Sequence, residues 1–208
     1  MKCNLFVIRG ICQIMRKLAV GLFLACAASA WGQSLELWFN GGQSILSNNG
    51  LGTTNTIGGT KDDVKLEDGF RFSIRMTLNN DNLFGHEVQY AYSRTQLNIG
   101  GVQQGMAIHE GGYNFLLYAT KEGSRIRPFA TGGIGFANFV PPGASAASGG
   151  GTNKFQVNYG AGVKVHVASI FGVRLDVRQY ASPKPFSLPL AEGWLRQTEV
   201  SGGFGVQF

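Results

Sequence analysis

From Phe155 to Tyr180 the chain changes polarity at almost every residue. Phe155, Val157, Tyr159, Ala161, Val163, Val165 and Val167 alternate with Gln156, Asn158, Gly160, Gly162, Lys164 and His166. A period of two describes a strand with one apolar and one polar face. After Ala168 and Ser169 the alternation restarts, with Phe171, Val173, Leu175 and Val177 set against Gly172, Arg174, Asp176 and Arg178. The pair predicts a tight β-hairpin. Its charged face must meet water or other charges. Its greasy face would be the core of a soluble sandwich or the lipid-facing side of a membrane barrel.

The same alternation predicts eight strands, at residues 35–46, 64–78, 84–97, 105–119, 126–139, 154–167, 170–180 and 197–208. Phe70, Phe72, Ile74, Met76 and Leu78 form the apolar set of the second, and Val88, Tyr90 and Tyr92 that of the third. The connections sort by length. Those after the first, third, fifth and seventh strands (47–63, 98–104, 140–153 and 181–196) are polar or long, and those after the second, fourth and sixth (79–83, 120–125 and 168–169) are short. Along an even-stranded meander this puts every long loop at one end, as in outer-membrane barrels, which have short periplasmic turns and long outer loops. A soluble sandwich has no reason to sort its loops this way. The fold class is therefore all-β: a closed, eight-stranded, antiparallel, up-and-down transmembrane barrel with both termini at the short-turn end.

The first thirty residues read as a secretory leader instead of part of the barrel. Arg16 and Lys17 precede a short apolar run, 18–27, and Ala28-Ser29-Ala30 carries the small residues that a signal peptidase reads. A leader starting at Met15 is complete in itself, which makes Met15 an alternative start; cleavage falls before Trp31 or, as second choice, before Gln33. Cys26 suggests a lipoprotein, but Leu24 is bulkier than a lipobox favours. The barrel domain then spans 31–208.

Removing the leader changes the composition. Cys3, Cys12 and Cys26 all go, and with them any disulfide framework or thiolate metal site. Lys2, Arg9, Arg16 and Lys17 go too, with no acidic residue, leaving 14 basic against 12 acidic side chains and turning a net charge of +6 into +2. A nucleic-acid partner loses its support. Glycine, 31 of 208 residues, recurs inside the alternating segments, where it admits close approach and large neighbours. No apolar run after residue 31 is long enough for a helical span.

The chain ends in strand: Thr198, Val200, Gly202, Phe204, Val206 and Phe208 alternate with Gln197, Glu199, Ser201, Gly203, Gly205 and Gln207. With Arg127-Pro128-Phe129-Ala130-Thr131-Gly132-Gly133-Ile134-Gly135-Phe136, Tyr159-Gly160-Ala161-Gly162-Val163-Lys164 and Gly172-Val173-Arg174-Leu175-Asp176-Val177-Arg178, residues 35–208 resemble the eight-stranded outer-membrane β-barrels, the family of the outer membrane protein A transmembrane domain and its Ail-like relatives. The resemblance implies a bacterial outer-membrane location, with membrane lipid and lipopolysaccharide as surroundings. It also implies that Phe204, Val206 and Phe208 form the signal read by barrel-assembly machinery, and that the protein is a monomer. Unlike outer membrane protein A, the chain stops at Phe208 with no peptidoglycan-binding domain.

Placing the small and polar face of each strand inside puts Glu36, Arg71, Arg75, Glu87, Glu110, Arg127, Lys164, Arg174, Asp176, Arg178 and Glu199 in the interior. Eight strands leave room for side chains only, so these six bases and five acids read as a salt-bridged plug, with a narrow gated pore as the alternative. Strand direction places Arg178 beside Glu199, and Arg75 between Glu36 and Glu87.

Lipid A deacylases among such barrels carry a His-x-Ser pair where this chain has Tyr180-Ala181-Ser182. His166 falls inside near the short turns, and His86 and His109 share the parity of the greasy face. Without a base near an activated hydroxyl there is no nucleophilic site, cofactor or metal centre to name. The glycine- and serine-rich 141–151 segment predicts a flexible outer loop. Lys184, Phe186, Leu188, Leu190, Trp194 and Leu195 make the last loop greasy, consistent with packing over the barrel mouth or with a contact surface. The function expected is non-enzymatic, in envelope integrity or surface contact through the outer loops and an unspecified surface ligand. A lipid A-modifying enzyme and a small diffusion pore are the alternatives.

Overall fold

In the computed structural model, residues 34–55, 61–80 and 83–208 are described. The leader, residues 1–30, lies outside them. The strands are β1 (Ser34–Ser47), β2 (Gly50–Asn55), β3 (Lys61–Leu66), β4 (Gly69–Asn80), β5 (Phe84–Ile99), β6 (Val102–Tyr118), β7 (Ile126–Val140), β8 (Thr152–His166), β9 (Phe171–Pro183) and β10 (Trp194–Gln207). Eight of them form the wall. Each is antiparallel to its neighbour in the order β1, β4, β5, β6, β7, β8, β9, β10, and β10 returns to β1 with Glu36 opposite Gln207 and Ser47 opposite Arg196. The sheet is thus closed, which leaves no membrane-embedded edge of unpaired backbone groups.

The burial of side chains follows the alternation seen in the sequence. On β4, Phe70, Phe72 and Met76 are exposed while Arg71, Ser73, Arg75 and Thr77 are buried. On β9, Val173, Leu175 and Val177 are exposed and Arg174, Asp176 and Arg178 buried. This is the pattern of a polar interior under an apolar outer band. Glycines at two wall positions give large inward rings their space. A Cβ on Gly205 would lie 2.5 Å from the Trp38 ring, and one on Gly162 2.5 Å from Phe129.

Two connections differ from expectation. Within the expected loop 47–63, the described residues 50–55 and 61–63 are strand, and the predicted strand 64–78 is interrupted before Gly69. β2 and β3 make an accessory hairpin above the wall, and β3 leans on the top of β5, with Val64 opposite Ile99 and Leu66 opposite Leu97. The wall strand starts only at Gly69, after a break at which the Asp68 carboxylate accepts the Leu46 backbone N–H at 2.7 Å. The connection after β5 is not long. β5 and β6 run on to a two-residue turn, Gly100 and Gly101, whose φ values of 57° and 92° suit a type I′ hairpin. The upper end therefore carries the β2–β3 hairpin, this tight turn and the longer segments 141–151 and 184–193.

Candidate functional site: the barrel interior

All eleven interior charges predicted from parity are buried, none more than 2 % exposed. They pair by reaching across the lumen. Arg174 and Arg178 on β9 both grip Glu87 on β5, at 2.6 and 2.9 Å. β9 and β5 stand four places apart on the eight-stranded ring, on diametrically opposite walls. Asp176 takes Arg174 through a two-pronged contact of 2.6 and 3.1 Å, Arg178 at 3.0 Å and Arg75 at 2.9 Å. Arg75 also holds Glu199 at 2.6 Å, and Glu199 in turn holds Arg71 at 2.9 Å. Arg71 ends the chain on Glu110. Glu110, Arg71, Glu199, Arg75, Asp176, Arg174, Arg178 and Glu87 thus form one continuous ion-pair network.

Three expected pairings are corrected by this geometry. Arg178 and Glu199 do sit opposite each other in the β9–β10 register. Their charged groups nevertheless go elsewhere, Arg178 to Asp176 and Glu87, and Glu199 to Arg71 and Arg75. Nor does Arg75 meet Glu36 or Glu87; its partners are Asp176 and Glu199. The reason is the width of the lumen. In so narrow a barrel a long guanidinium reaches the far wall as readily as the adjacent strand, so the height of a residue does not decide its partner.

Below this network lies a second group. Lys164 bonds Glu36 and donates to the Tyr118 hydroxyl at 2.7 Å. Arg127 sits 3.8 Å from Glu36 and places its guanidinium 3.8 Å from the centre of the Tyr118 ring. Trp38 donates its indole N–H to Glu36 at 2.7 Å, and Asn79 donates to the same carboxylate at 2.7 Å. Phe129 fills the space beside them, its ring centre 4.7 Å from the Arg174 guanidinium. Rings and carboxylates thus enclose these buried charges together.

Above the network the interior changes character, a feature that parity reasoning missed. Leu46, Leu97, Met106, Ile108, Ala137, Phe139 and Leu195, all from the upper ends of wall strands, form one apolar cluster with Leu51, Val64 and Leu66 of the accessory hairpin. Phe186 and Leu188 of the last loop pack against it. Hairpin and loop are also joined directly, Thr53 N–H to the Pro189 carbonyl at 3.0 Å. Of the greasy loop side chains, Phe186, Leu188 and Leu195 close over the mouth, whereas Leu190 and Trp194 face outward. The sequence signal was present as apolar doublets, Ile45-Leu46, Phe139-Val140 and Trp194-Leu195, where both faces turn greasy at the loop end of a strand.

The histidines do not assemble with a nucleophile. His86 and His109 lie on the outer face, where each shares a hydrogen bond with a tyrosine hydroxyl, Tyr113 at 2.5 Å and Tyr90 at 2.7 Å. His166 ends β8 opposite Gly172 at the short-turn end. Tyr180, at the place comparable to a deacylase base, donates its hydroxyl to Glu199 at 2.9 Å and belongs to the charge network. Among the described residues there is no cluster of His, Cys, Asp and Glu fit to hold a metal ion. At the end of β10, Phe204, Val206 and Phe208 share the outward face; Phe204 and Phe208 are largely exposed, and Phe208 is tied to Leu35 by backbone hydrogen bonds of 2.8 and 3.3 Å.

A closed ring of eight antiparallel strands, apolar outside and charged inside, defines the class of eight-stranded outer-membrane barrels. The chain belongs to the outer membrane protein beta-barrel domain family, which matches residues 18–208, and its place is the bacterial outer membrane. Among solved structures, its fold is similar to that of Neisserial surface protein A, at 14% identity, TM-score 0.58, covering 84% of this chain and 97% of that one. It is similar also to OprG of Pseudomonas aeruginosa, at 12% identity, TM-score 0.58, covering 83% and 95%. A third likeness is to AlkL in lipid bilayers, at 13% identity, TM-score 0.57, covering 84% and 90%. No curated protein sequence matches the chain.

Proposed function

We propose that this barrel is non-enzymatic and serves the envelope through its outer surface, in envelope integrity or surface contact, without conducting solutes through its lumen. The observation that carries the reading is the filled interior: two charged groups and an apolar lid follow one another from the short turns to the mouth. A path for ions would have to break buried charge pairs and leave their members uncompensated. The hydrogen bond from Thr53 to Pro189 joins the accessory hairpin to the last loop, so the upper end presents a fixed surface more than a set of loose tethers.

Residues 1–30 act as a secretory leader. Phe204, Val206 and Phe208 present the outward aromatic and apolar row that barrel-assembly machinery reads. The mature monomer stands among lipopolysaccharide molecules, and the loops are the part that meets a surface ligand.

A deletion strain tests the reading. Greater leakage of periplasmic enzymes, or loss of contact with surfaces, together with unchanged lipid A acylation by mass spectrometry, is the expected result. An altered acyl-chain pattern restored by the wild-type gene would replace it with the enzymatic alternative.

A further inference from the structure

On the outer side of the wall, where β7 leaves β6 at Pro141, there is a cavity of about 350 Å³. Tyr92 and Arg94 of β5 form one side, the turn 141–144 forms the other, and Gly105 and Ala107 of β6 lie between them. In the register, Arg94 faces Ala107 and Ala107 faces Val140, so the cavity spans three neighbouring strands and rises from Arg94 toward Gly105 and the 141–144 turn. Tyr92, Arg94, Gly105 and Ala107 share the parity of the outward face, and the cavity is therefore a notch in the side of the barrel, backed by Met106 of the interior apolar cluster. The small side chains of Gly105 and Ala107 make its floor low between taller walls.

Its height on the barrel says what it meets. Going up β5, the outward residues are Phe84, His86, Val88, Tyr90 and Tyr92, and then Arg94 is the first cation. An aromatic followed by an arginine marks the boundary between hydrocarbon and head groups. The loop end is the outer side in barrels of this architecture. Among the described residues Arg94 has no hydrogen bond or ion pair for its guanidinium, unlike the six interior bases. A free guanidinium fork at that level matches a phosphate in charge and geometry.

We infer that this notch binds an acylated phosphate lipid of the outer leaflet, the phosphate on Arg94, the rest of the head group over Ala107 and Gly105 against the 141–142 prolines, and the acyl chains running down the wall past Tyr92. The site would give the barrel one fixed lipid neighbour on the β5–β7 side. The inference concerns the side of the barrel and holds whether or not the loops meet a surface ligand.

The test is native mass spectrometry of the purified, folded protein in detergent, titrated with bisphosphorylated lipid A. One retained lipid is expected. Arg94→Ala should weaken retention by roughly tenfold or more, the loss of a charge-assisted contact, with Arg94→Lys in between. Ala107→Leu, which fills the floor and leaves the charge, should abolish retention, while Arg196→Ala on the distant β10 should change nothing. Lipid A stripped of its phosphates should bind no better to wild type than to Arg94→Ala. The heat-dependent shift in gel migration checks the folding of each variant. Equal retention by wild type, Arg94→Ala and Ala107→Leu would overturn the site. Displacement of the lipid by millimolar inorganic phosphate would overturn the lipid as its ligand.

Discussion

The middle and the top of the interior close the same barrel by opposite means. In the middle, long charged side chains reach across to the far wall and neutralise each other, as Arg178 and Arg174 do on Glu87. At the top, short apolar side chains from the strand ends cannot span the lumen, and the accessory hairpin and last loop supply Leu51, Val64, Leu66, Phe186 and Leu188 to complete the packing. The contrast follows from what each region can recruit. At mid-height only wall side chains are available, and an interior facing no solvent can host ions only if every one is paired. At the mouth, chain that has left the wall can fold back and bury itself. The charged middle is therefore the brittle part, and the apolar lid the adaptable one.

The first way to break this comparison is Glu87→Ala, which leaves Arg174 with Asp176 alone and removes a partner of Arg178. Loss of one member of a buried pair should lower unfolding free energy by about 3–5 kcal/mol, measured by urea unfolding in lipid vesicles. Leu66→Ala should cost less, about 2–3 kcal/mol, because the site borders chain that can collapse inward. Hydrogen exchange on that variant should rise in β2, β3 and the 184–193 loop while the mid-wall amides stay protected. Gly205→Ala sharpens the packing side of the account. Its methyl would meet the Trp38 ring at 2.5 Å, so a loss of about 1–3 kcal/mol is expected, with a shift in tryptophan fluorescence. The smallest effect belongs to Lys65→Ala, since the exposed pair with Asp63 is 3.9 Å apart; a change in thermal midpoint equivalent to less than about 0.5 kcal/mol is expected.

The wall was legible in the sequence because lipid outside and charge inside impose a period of two on every strand, and a side chain's parity names its face. The interior charges could be read for the same reason. Their partners could not, because register gives height along the wall and says nothing about reach across the lumen: Arg178 faces Glu199 in the register and bonds Glu87 and Asp176. The last loop's share of the lid was legible in its apolar residues, but the share of the wall strands stayed hidden because those residues break the rule that revealed the strands. Where Ile45 and Leu46 are both apolar, alternation no longer separates inside from outside. The stretch 50–60, rich in Gly, Thr and Asn, carries too little alternation to announce the β2–β3 hairpin, and the adjacent Gly100 and Gly101, placed within an expected loop, form a tight turn.

The central claim is that charge pairing and the apolar lid together seal the lumen, and single-channel recording in planar bilayers tests it most directly. The purified wild-type protein should show no steady conductance at any holding potential. Arg75→Ala should lower thermal stability more than it raises leakage, because Arg71, Arg174 and Arg178 still occupy the lumen. A stable, reproducible open level in the wild-type protein would contradict the account.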